Sequence, residues 1–374
     1  MNKGIHLTLL VGPAVPVPVP RAVIDALESV QITSSAGSRS GFQLTFSLSS
    51  KSPLHTFLVL AAGQVPWLRV ILIATLNGAP NVLADGVVTR QEVGGANEAG
   101  QSTLTVTGED LTAVMDQQEF SGLPYPAMPA EARVAVIVAK YALFGMIPIV
   151  VPSLFVDVPI PTSTIPTHQG TDLAYVNELA RLAGYVFYVE PGPAPGTNTA
   201  YWGPEIRIGV PQPALNIGMD AHSNCESLSF SVSETDATLP VIFIQNSITK
   251  FPIPLPVPSI DLLKPPLGML PPLPKKIEFM KDTAKDSPMT ALGKGLAKAG
   301  ASQDAVSGNG SVDVLRYGRV LKARQLVGVR GAGLAFDGLY YVKSVTTRMK
   351  RGEFKQSFNL VRNGLISTLP KVPA

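Results

Sequence analysis

The sequence predicts an α+β fold, with antiparallel β regions at both ends of the chain and helices in the middle. Three observations lead there. Apolar and polar residues alternate at Phe42, Leu44, Phe46 and Leu48, and again at Leu228, Phe230 and Val232, the period of half-buried strands. Between them, from about residue 109 to 190, lie runs with helical spacing and capping residues. Finally, Phe251 to Pro274, "FPIPLPVPSIDLLKPPLGMLPPLP", has proline at nearly every second or third position, which excludes helix interior and central strand.

Taken in order, residues 1–108 read as an N-terminal β domain. After a proline-rich opening, "AVIDALESVQITSSAGSRSGFQLTFSLS" passes from a polar turn into the first alternating strand; "RVILIATLNG" is a second, ending in an Asn-Gly turn; "NVLADGVVTRQEVG" and "STLTVTGED" are two more. Residues 109–204 form a helical α+β middle region. Thr107 or Gly108 starts a helix in "TGEDLTAVMDQQE", with Glu109 and Asp110 in its first turn; "AEARVAVIVAKYALFG" is a second helix, ended by Gly145 and then Pro148. Thr171 or Asp172 caps a third, with Leu173, Val176, Leu179, Ala180 and Ala183 on one stripe and Gly184 stopping it before an aromatic strand, Tyr185 to Val189.

From "EIRIGV" (Glu205 to Val210) the pattern is β again, and residues 205–250 join the second half through "ESLSFSVSETD" and "LPVIFIQNS". Residues 251–310 are a proline-rich strap and a charged, helix-prone connector. The strap is expected to run as stiff polyproline II at about 3.1 Å per residue. Its apolar Phe251, Ile253, Leu255, Val257 and Ile260 predict packing against its own or a neighbouring subunit. Residues 311–374 return to strands in "SVDVLRYG", "LVGVRG", "GLYYVKSVTTRMKRG" and "FKQSFNLVRNG", with "GAGLAFDG" as a turn.

At 374 residues, the chain is long enough for two or three domains. Hydrophobic residues make up 45% and charged residues 15%, with mean hydropathy +0.24. Such a balance points to membrane insertion or to surface buried in an assembly. The stretches nearest to a bilayer span, His55 to Leu76 and Val134 to Val156, carry Gln64, Pro66 and Arg69 in one and Lys140 with two prolines in the other, which favours buried strands or helices. No signal peptide is expected, since Lys3 precedes a short apolar run with no small-residue cleavage pattern. A single cysteine, Cys225, suits a reducing compartment. The net charge of +3, spread without a basic block, selects no partner.

Chemistry-bearing patterns are missing. His6, His55, His168 and His222 have no ligand spacing, so no metal is expected. There is no G-x-S-x-G elbow, and "GAGLAF" and "GKG" lack the remaining glycines of nucleotide loops. The pairs Glu109/Asp110 and Asp116/Glu119 sit where helix capping and solvation explain them. "RMKRGEFK" (Arg348 to Lys355) reads as a charged hairpin tip, without the aromatics of a nucleic-acid surface. The sequence therefore predicts no catalytic, cofactor-binding or metal residue, and no enzyme.

Three stretches carry a resemblance: "DGVVTRQEVGGANEAGQSTLTVTGEDLTAVMDQQE" (Asp85 to Glu119); "HQGTDLAYVNELARLAGYVFYVEPGPAPGTNTAYWGPEIRIG", with its capped helix leading into a G-x-x-F/Y strand; and "GSVDVLRYGRVLKARQLVGVRGAGLAFDGLYYVKSVTTRMKRGEFKQSFNLVRNG", with D-G-x-Y-x-V-x-x-V and a final F-x-L-x-R-N-G. In order and spacing they resemble the baseplate hub proteins of contractile phage tails and contractile injection systems, the late control protein D family. The resemblance covers most of the chain from about residue 20 to 370.

It implies two tube-like β-barrel or sandwich domains per subunit, three subunits forming a pseudo-sixfold ring, and a structural role joining the sixfold inner tube to the threefold spike. The implied partners are two further copies, the inner tube protein, a separate spike protein, other baseplate proteins and a cargo or tape-measure protein in the lumen. No nucleic-acid sequence is read, and no membrane is entered in the assembled state. Assembly in the cytoplasm of the producing bacterium, then residence in a virion or injection-system baseplate, follows from the same resemblance. Expected contact elements are the strands at Phe42 to Leu48 and Phe354 to Leu360 for the ring and the loop "RQEVGGANEAGQ" for the tube. The alternative is a particle-associated cell-wall hydrolase, which needs a catalytic acid or a metal cluster that the sequence does not offer.

Overall fold

The computed structural model describes residues 5–48, 66–95, 102–153, 165–233, 238–245, 251–257, 265–271, 273, 275–280, 288–301 and 304–369. His55, Ile260, residues 96–101 of the expected tube-contact loop and parts of both long apolar stretches lie outside them. The fold is mostly β, with 51% of the described residues in strands and 16% in helices.

In chain order the strands are β1 (His6–Gly12), β2 (Val17–Pro18), β3 (Leu27–Ser35), β4 (Gly41–Leu48), β5 (Arg69–Leu76), β6 (Ala79–Gly95) and β7 (Ser102–Asp110). Then come β8 (Met146–Val150), β9 (Val186–Pro191), β10 (Asn198–Gly203), β11 (Gln212–Asn216), β12 (Cys225–Val232), β13 (Thr238–Gln245) and β14 (Pro252–Pro256). Last are β15 (Gly268–Leu270), β16 (Lys276–Phe279), β17 (Val306–Asp313), β18 (Leu326–Arg330), β19 (Gly338–Lys350), β20 (Glu353–Arg362) and β21 (Leu365–Ser367).

Both ends of the chain enter one 13-stranded sheet, in the order β12-β17-β20-β19-β3-β4-β7-β6-β5-β1-β2, with β18 on β19 and β11 on β18. The halves meet where β3 pairs antiparallel with β19, Ser29 opposite Lys350 through Ser35 opposite Ser344. The path has free ends, so the described strands close no barrel. Packing is less continuous than pairing. One cluster lies under β1 and β3–β7, with Phe42, Leu44, Phe46 and Leu48 all buried in it as the alternation predicts; a second fills the C-terminal strands around Tyr340 and Val342; a third, around Trp202 and Val176, belongs to the middle region.

Sequence and structure agree best where capping is local. Asn77 and Gly78 make the β5–β6 turn with φ of 52° and 83°, the positive values that Asn-Gly supplies. The helix Asp172–Ala183 is capped by Thr171, whose hydroxyl accepts from the Ala174 N–H, and ends at Gly184 with φ 71°.

Four expectations are corrected. The helix expected from Thr107 begins later, at Thr112–Met115: Thr107 to Asp110 stay in β7, held by β4 on one side and β6 on the other. Gly108 is a packing residue there, since a Cβ would meet the Phe42 ring at 2.2 Å. The second helix stops at Ala139; a 3-10 turn and Gly145 follow, and Pro148 lies inside edge strand β8. "EIRIGV" is irregular backbone rather than strand: Ile206, Ile208 and Val210 are exposed while Arg207 is buried against Asp304. In "SVDVLRYG" the strand ends at Asp313, whose carboxylate accepts from the Leu315 and Arg316 N–H groups and starts a short helix, Val314–Tyr317.

The proline strap is also different from its expectation. Pro252–Pro256 is an antiparallel edge strand on β13, not free polyproline II, and β13 pairs in parallel with β16 on its other side. Farther along, Gly268–Leu270 pairs with β21.

Candidate assembly surface

The β14-β13-β16 sheet carries a small buried cluster and several exposed apolar side chains. On one face Ile242 and Val257 pack against Ala291 of the helix Pro288–Ala301. Gly295 permits that approach, since a Cβ would come within 2.7 Å of Val257 and 2.8 Å of Ile242. The "GKG" that fails as a nucleotide loop is thus a helix-packing glycine.

Residues directly opposite in paired strands share a face. Phe243 and Val241 therefore lie with Pro254, Pro256, Ile277 and Phe279 on the side away from that helix, and Phe243 stacks on Phe279 at 6.0 Å. On this side Ile277 is 59% exposed and Phe279 58%, whereas Val241 beside them is buried. Ile253 and Leu255 of β14 are also exposed, but they lie opposite Ile244 and Ile242 and so belong to the helix-bearing face. The exposed pair Ile277 and Phe279, on one face of an edge strand, makes that face a candidate for protein–protein contact.

A second feature fixes the middle region against the large sheet. Arg324 lies 4.3 Å from the Tyr188 ring, donates to Glu190 Oε1 at 2.7 Å and to the Ser35 carbonyl at 2.5 Å, so one guanidinium ties β9 to β3. Arg207 lies 4.8 Å from the Tyr341 ring and donates to both Asp304 oxygens. Burial alone would lower the Arg207 pKa, and the Asp304 hydrogen bonds and charge raise it instead, so the guanidinium stays charged. Burial pushes the Tyr188 and Tyr341 hydroxyls up. These groups border an open cleft of about 580 Å³ between the β3–β4 turn, the Asp172–Ala183 helix and β19.

Deeper still, Arg69 makes a two-pronged contact with Asp85, Nε to Oδ1 and Nη2 to Oδ2, both at 2.7 Å and both residues buried. Asn198 of β10 donates to the same carboxylate at 2.9 Å, and Arg69 also donates to the carbonyls of Ala14 and Gly196. The arginine that argued against a membrane span is the bolt between β5, β6 and the middle sheet.

The residues weighed as chemical candidates have structural places. His168 is fully buried among Phe120, Tyr125 and Tyr175, with Nδ1 3.1 Å from the Tyr125 hydroxyl and Nε2 3.5 Å from Asp172. Asp172 accepts from Lys140 at 2.8 Å and from the Tyr141 hydroxyl at 2.7 Å. Burial lowers the His168 pKa against the opposing pull of Asp172, so the ring is neutral at pH 7. His6 lies in exposed β1 positions and His222 in a 3-10 turn, and no group of three or more potential metal ligands occurs among the described residues.

Glu109 and Asp116 both pair with Arg39, Asp110 accepts from the Ser40 and Thr112 N–H groups, and Glu119 accepts from Ser121. Burial raises the Cys225 pKa to about 12, the opposite of an activated thiol. "GAGLAF" is the β18–β19 turn, and "RMKRGEFK" is the β19–β20 hairpin tip.

The strands Phe42 to Leu48 and Phe354 to Leu360 lie inside the large sheet, and of the expected tube-contact loop Arg90 to Gly95 continues β6 with Arg90, Glu92 and Val93 exposed. The sequence reading missed Arg207, Arg324 and their tyrosines, because partners 97 to 289 residues apart leave no local pattern.

No family model matches the chain, and no curated protein matches it. Solved structures do. The tail protein from Neisseria meningitidis MC58 superposes with TM-score 0.64 at 12% identity over 97% of this chain and 98% of that one. A 43 kDa tail protein of prophage MuSo2 from Shewanella oneidensis gives 0.63 at 12% identity, over 96% and 99%. A chain of the Francisella PdpA-VgrG complex gives 0.61 at 9% identity; there all of this chain spans about half of the relative, 55%. This chain has the fold of phage tail proteins and of a chain of the VgrG complex, as its resemblance to the baseplate hub family implies.

Proposed function

We propose that the chain is a structural hub of a contractile phage tail or contractile injection system, joining the sixfold inner tube to the threefold spike as a homotrimer. The observation that carries this reading is the end-to-end match, since nearly the whole chain and nearly the whole of two tail proteins superpose. In this reading the strands of residues 1–108 and 311–374 supply the two tube-like parts of each subunit, and three subunits give six around an axis. Ile277 and Phe279 lie in the subunit interface, which accounts for their exposure in a single chain. The partners are the tube protein, a separate spike protein and other baseplate components, and the role is non-enzymatic.

The test is electron microscopy of the purified protein with mass measurement by light scattering. Trimers with an axial channel are expected. A monomer at micromolar concentration that stays monomeric when tube and spike proteins are added, or a trimer without a channel, overturns the reading.

A further inference from the structure

Two strands at sheet ends in this molecule carry proline at every second residue, and the phase is the same in both. In β2, Val19 N–H donates to the Leu9 carbonyl at 3.0 Å, so the odd residues Val17 and Val19 face β1 and the nitrogens of Pro16, Pro18 and Pro20 face outward. In β14, Val257 N–H donates to the Pro240 carbonyl at 2.9 Å, so Ile253, Leu255 and Val257 face β13 and the nitrogens of Pro252, Pro254 and Pro256 face outward. An outer edge built this way has no N–H donor at its prolines and cannot accept a further strand in register.

The opposite end of the large sheet is different. β12 is eight residues long with no proline, and among the described residues only β17 pairs with it. Ser233 N–H donates to the Ala305 carbonyl, which sets Ser227, Ser229 and Ser231 toward β17 and leaves the N–H and C=O groups of Leu228, Phe230 and Val232 pointing outward. The serine hydroxyls are engaged with β17, at Ser311, Asn309 and Ser307. From Ser227 to Val232 there is no charge, and Glu226 is held by Lys355 at 2.8 Å.

We propose that the outer edge of β12 is a strand-addition site for an extended, uncharged segment of another protein of the tail. This rests on the tail reading above. The open row of donors and acceptors calls for a backbone in extended conformation, and the uncharged Ser227 to Val232 offer no counter-charge to a charged one. Leu228, Phe230 and Val232 on one face and serines on the other call for alternating apolar and polar side chains. Two of a second copy's sheet ends, β2 and β14, are proline-terminated and cannot add to this edge in register, while pairing of β12 with β12 or with another free end of a second copy would appear as self-association of the free chain.

The experiment compares amide hydrogen exchange in the free chain and in the tail particle purified from producing cells. The Leu228, Phe230 and Val232 amides are expected to slow at least ~100-fold in the particle. Val232→Pro, which deletes one outward donor, is expected to enter particles at least ~10-fold less than Val232→Thr, which keeps it; circular dichroism checks that both variants fold. Fast exchange at the three amides in particles that contain the chain, or equal incorporation of both variants, overturns the proposal. So does a free chain that dimerises with those amides protected, which assigns the edge to self-pairing. Particles lacking the chain altogether overturn the tail reading instead.

Discussion

Strands β5 (RVILIATL) and β16 (KIEF) both carry isoleucine, yet their apolar residues end in opposite surroundings. In β5, Arg69 to Ala74 are buried on both faces, and even the charge among them is satisfied by Asp85. In β16, Ile277 and Phe279 stand in solvent on one face while the other face borders a helix. An apolar side chain in a strand is therefore no guide to a subunit's own core. The difference separates residues that stabilise this chain from residues whose burial waits for another one.

Three measurements break or sharpen that contrast. The largest effect is expected at Arg69→Ala, which leaves Asp85 buried and unpaired and should cost about 3–5 kcal/mol in denaturant unfolding. A loss under about 1 kcal/mol would show that β5 is less dry than its burial indicates.

Next comes a matched pair. Ile71→Ala in β5 should cost about 2–4 kcal/mol through lost burial and cavity formation, whereas Ile277→Ala in β16 should leave chain stability within about 0.5 kcal/mol. The second variant should instead weaken trimer formation, read as a shift of the association midpoint in light scattering. Equal stability losses at the two positions would erase the distinction.

The smallest effect is a pH dependence. The folded-state pKa of His168 is below the ordinary imidazole value of 6.5 because burial penalises the charged ring. The unfolded chain thus takes up a proton first, so the group's contribution is complete above the unfolded value and is lost as pH falls below it. For one site the slope cannot exceed about 1.4 kcal/mol per pH unit. His168→Gln should flatten the stability profile just below pH 6.5 relative to the parent, and an unchanged slope would remove His168 as its source.

Much of the secondary structure was legible because its causes are local. Thr171 and Gly184 bracket their helix, Asn77-Gly78 turn their hairpin, and the alternation at Phe42 to Leu48 gives the buried face directly. Misreadings came where two local codes overlapped. Thr107 to Asp110 carry both a cap signature and a strand continuation, and pairing on two sides decided for the strand. "EIRIGV" alternates like a strand, but its buried member is the arginine. The prolines were read correctly as excluding a central strand, while their period of two, which is the period of a strand edge, went unused.

By itself the sequence determined an α+β chain with β ends, most strand and helix positions, the lack of a catalytic pattern, and the order of motifs that resembles tail hubs. Those properties depend on residues within a few positions of one another, where sterics, capping and periodicity act. Only the tertiary structure decided that both β ends join through β3 and β19, that Arg69, Arg207 and Arg324 bolt distant segments together, and which sheet edges are shut and which is open. Those outcomes depend on partners up to 321 residues apart, Ser29 and Lys350, whose pairing is set by the whole chain's packing and by no local rule.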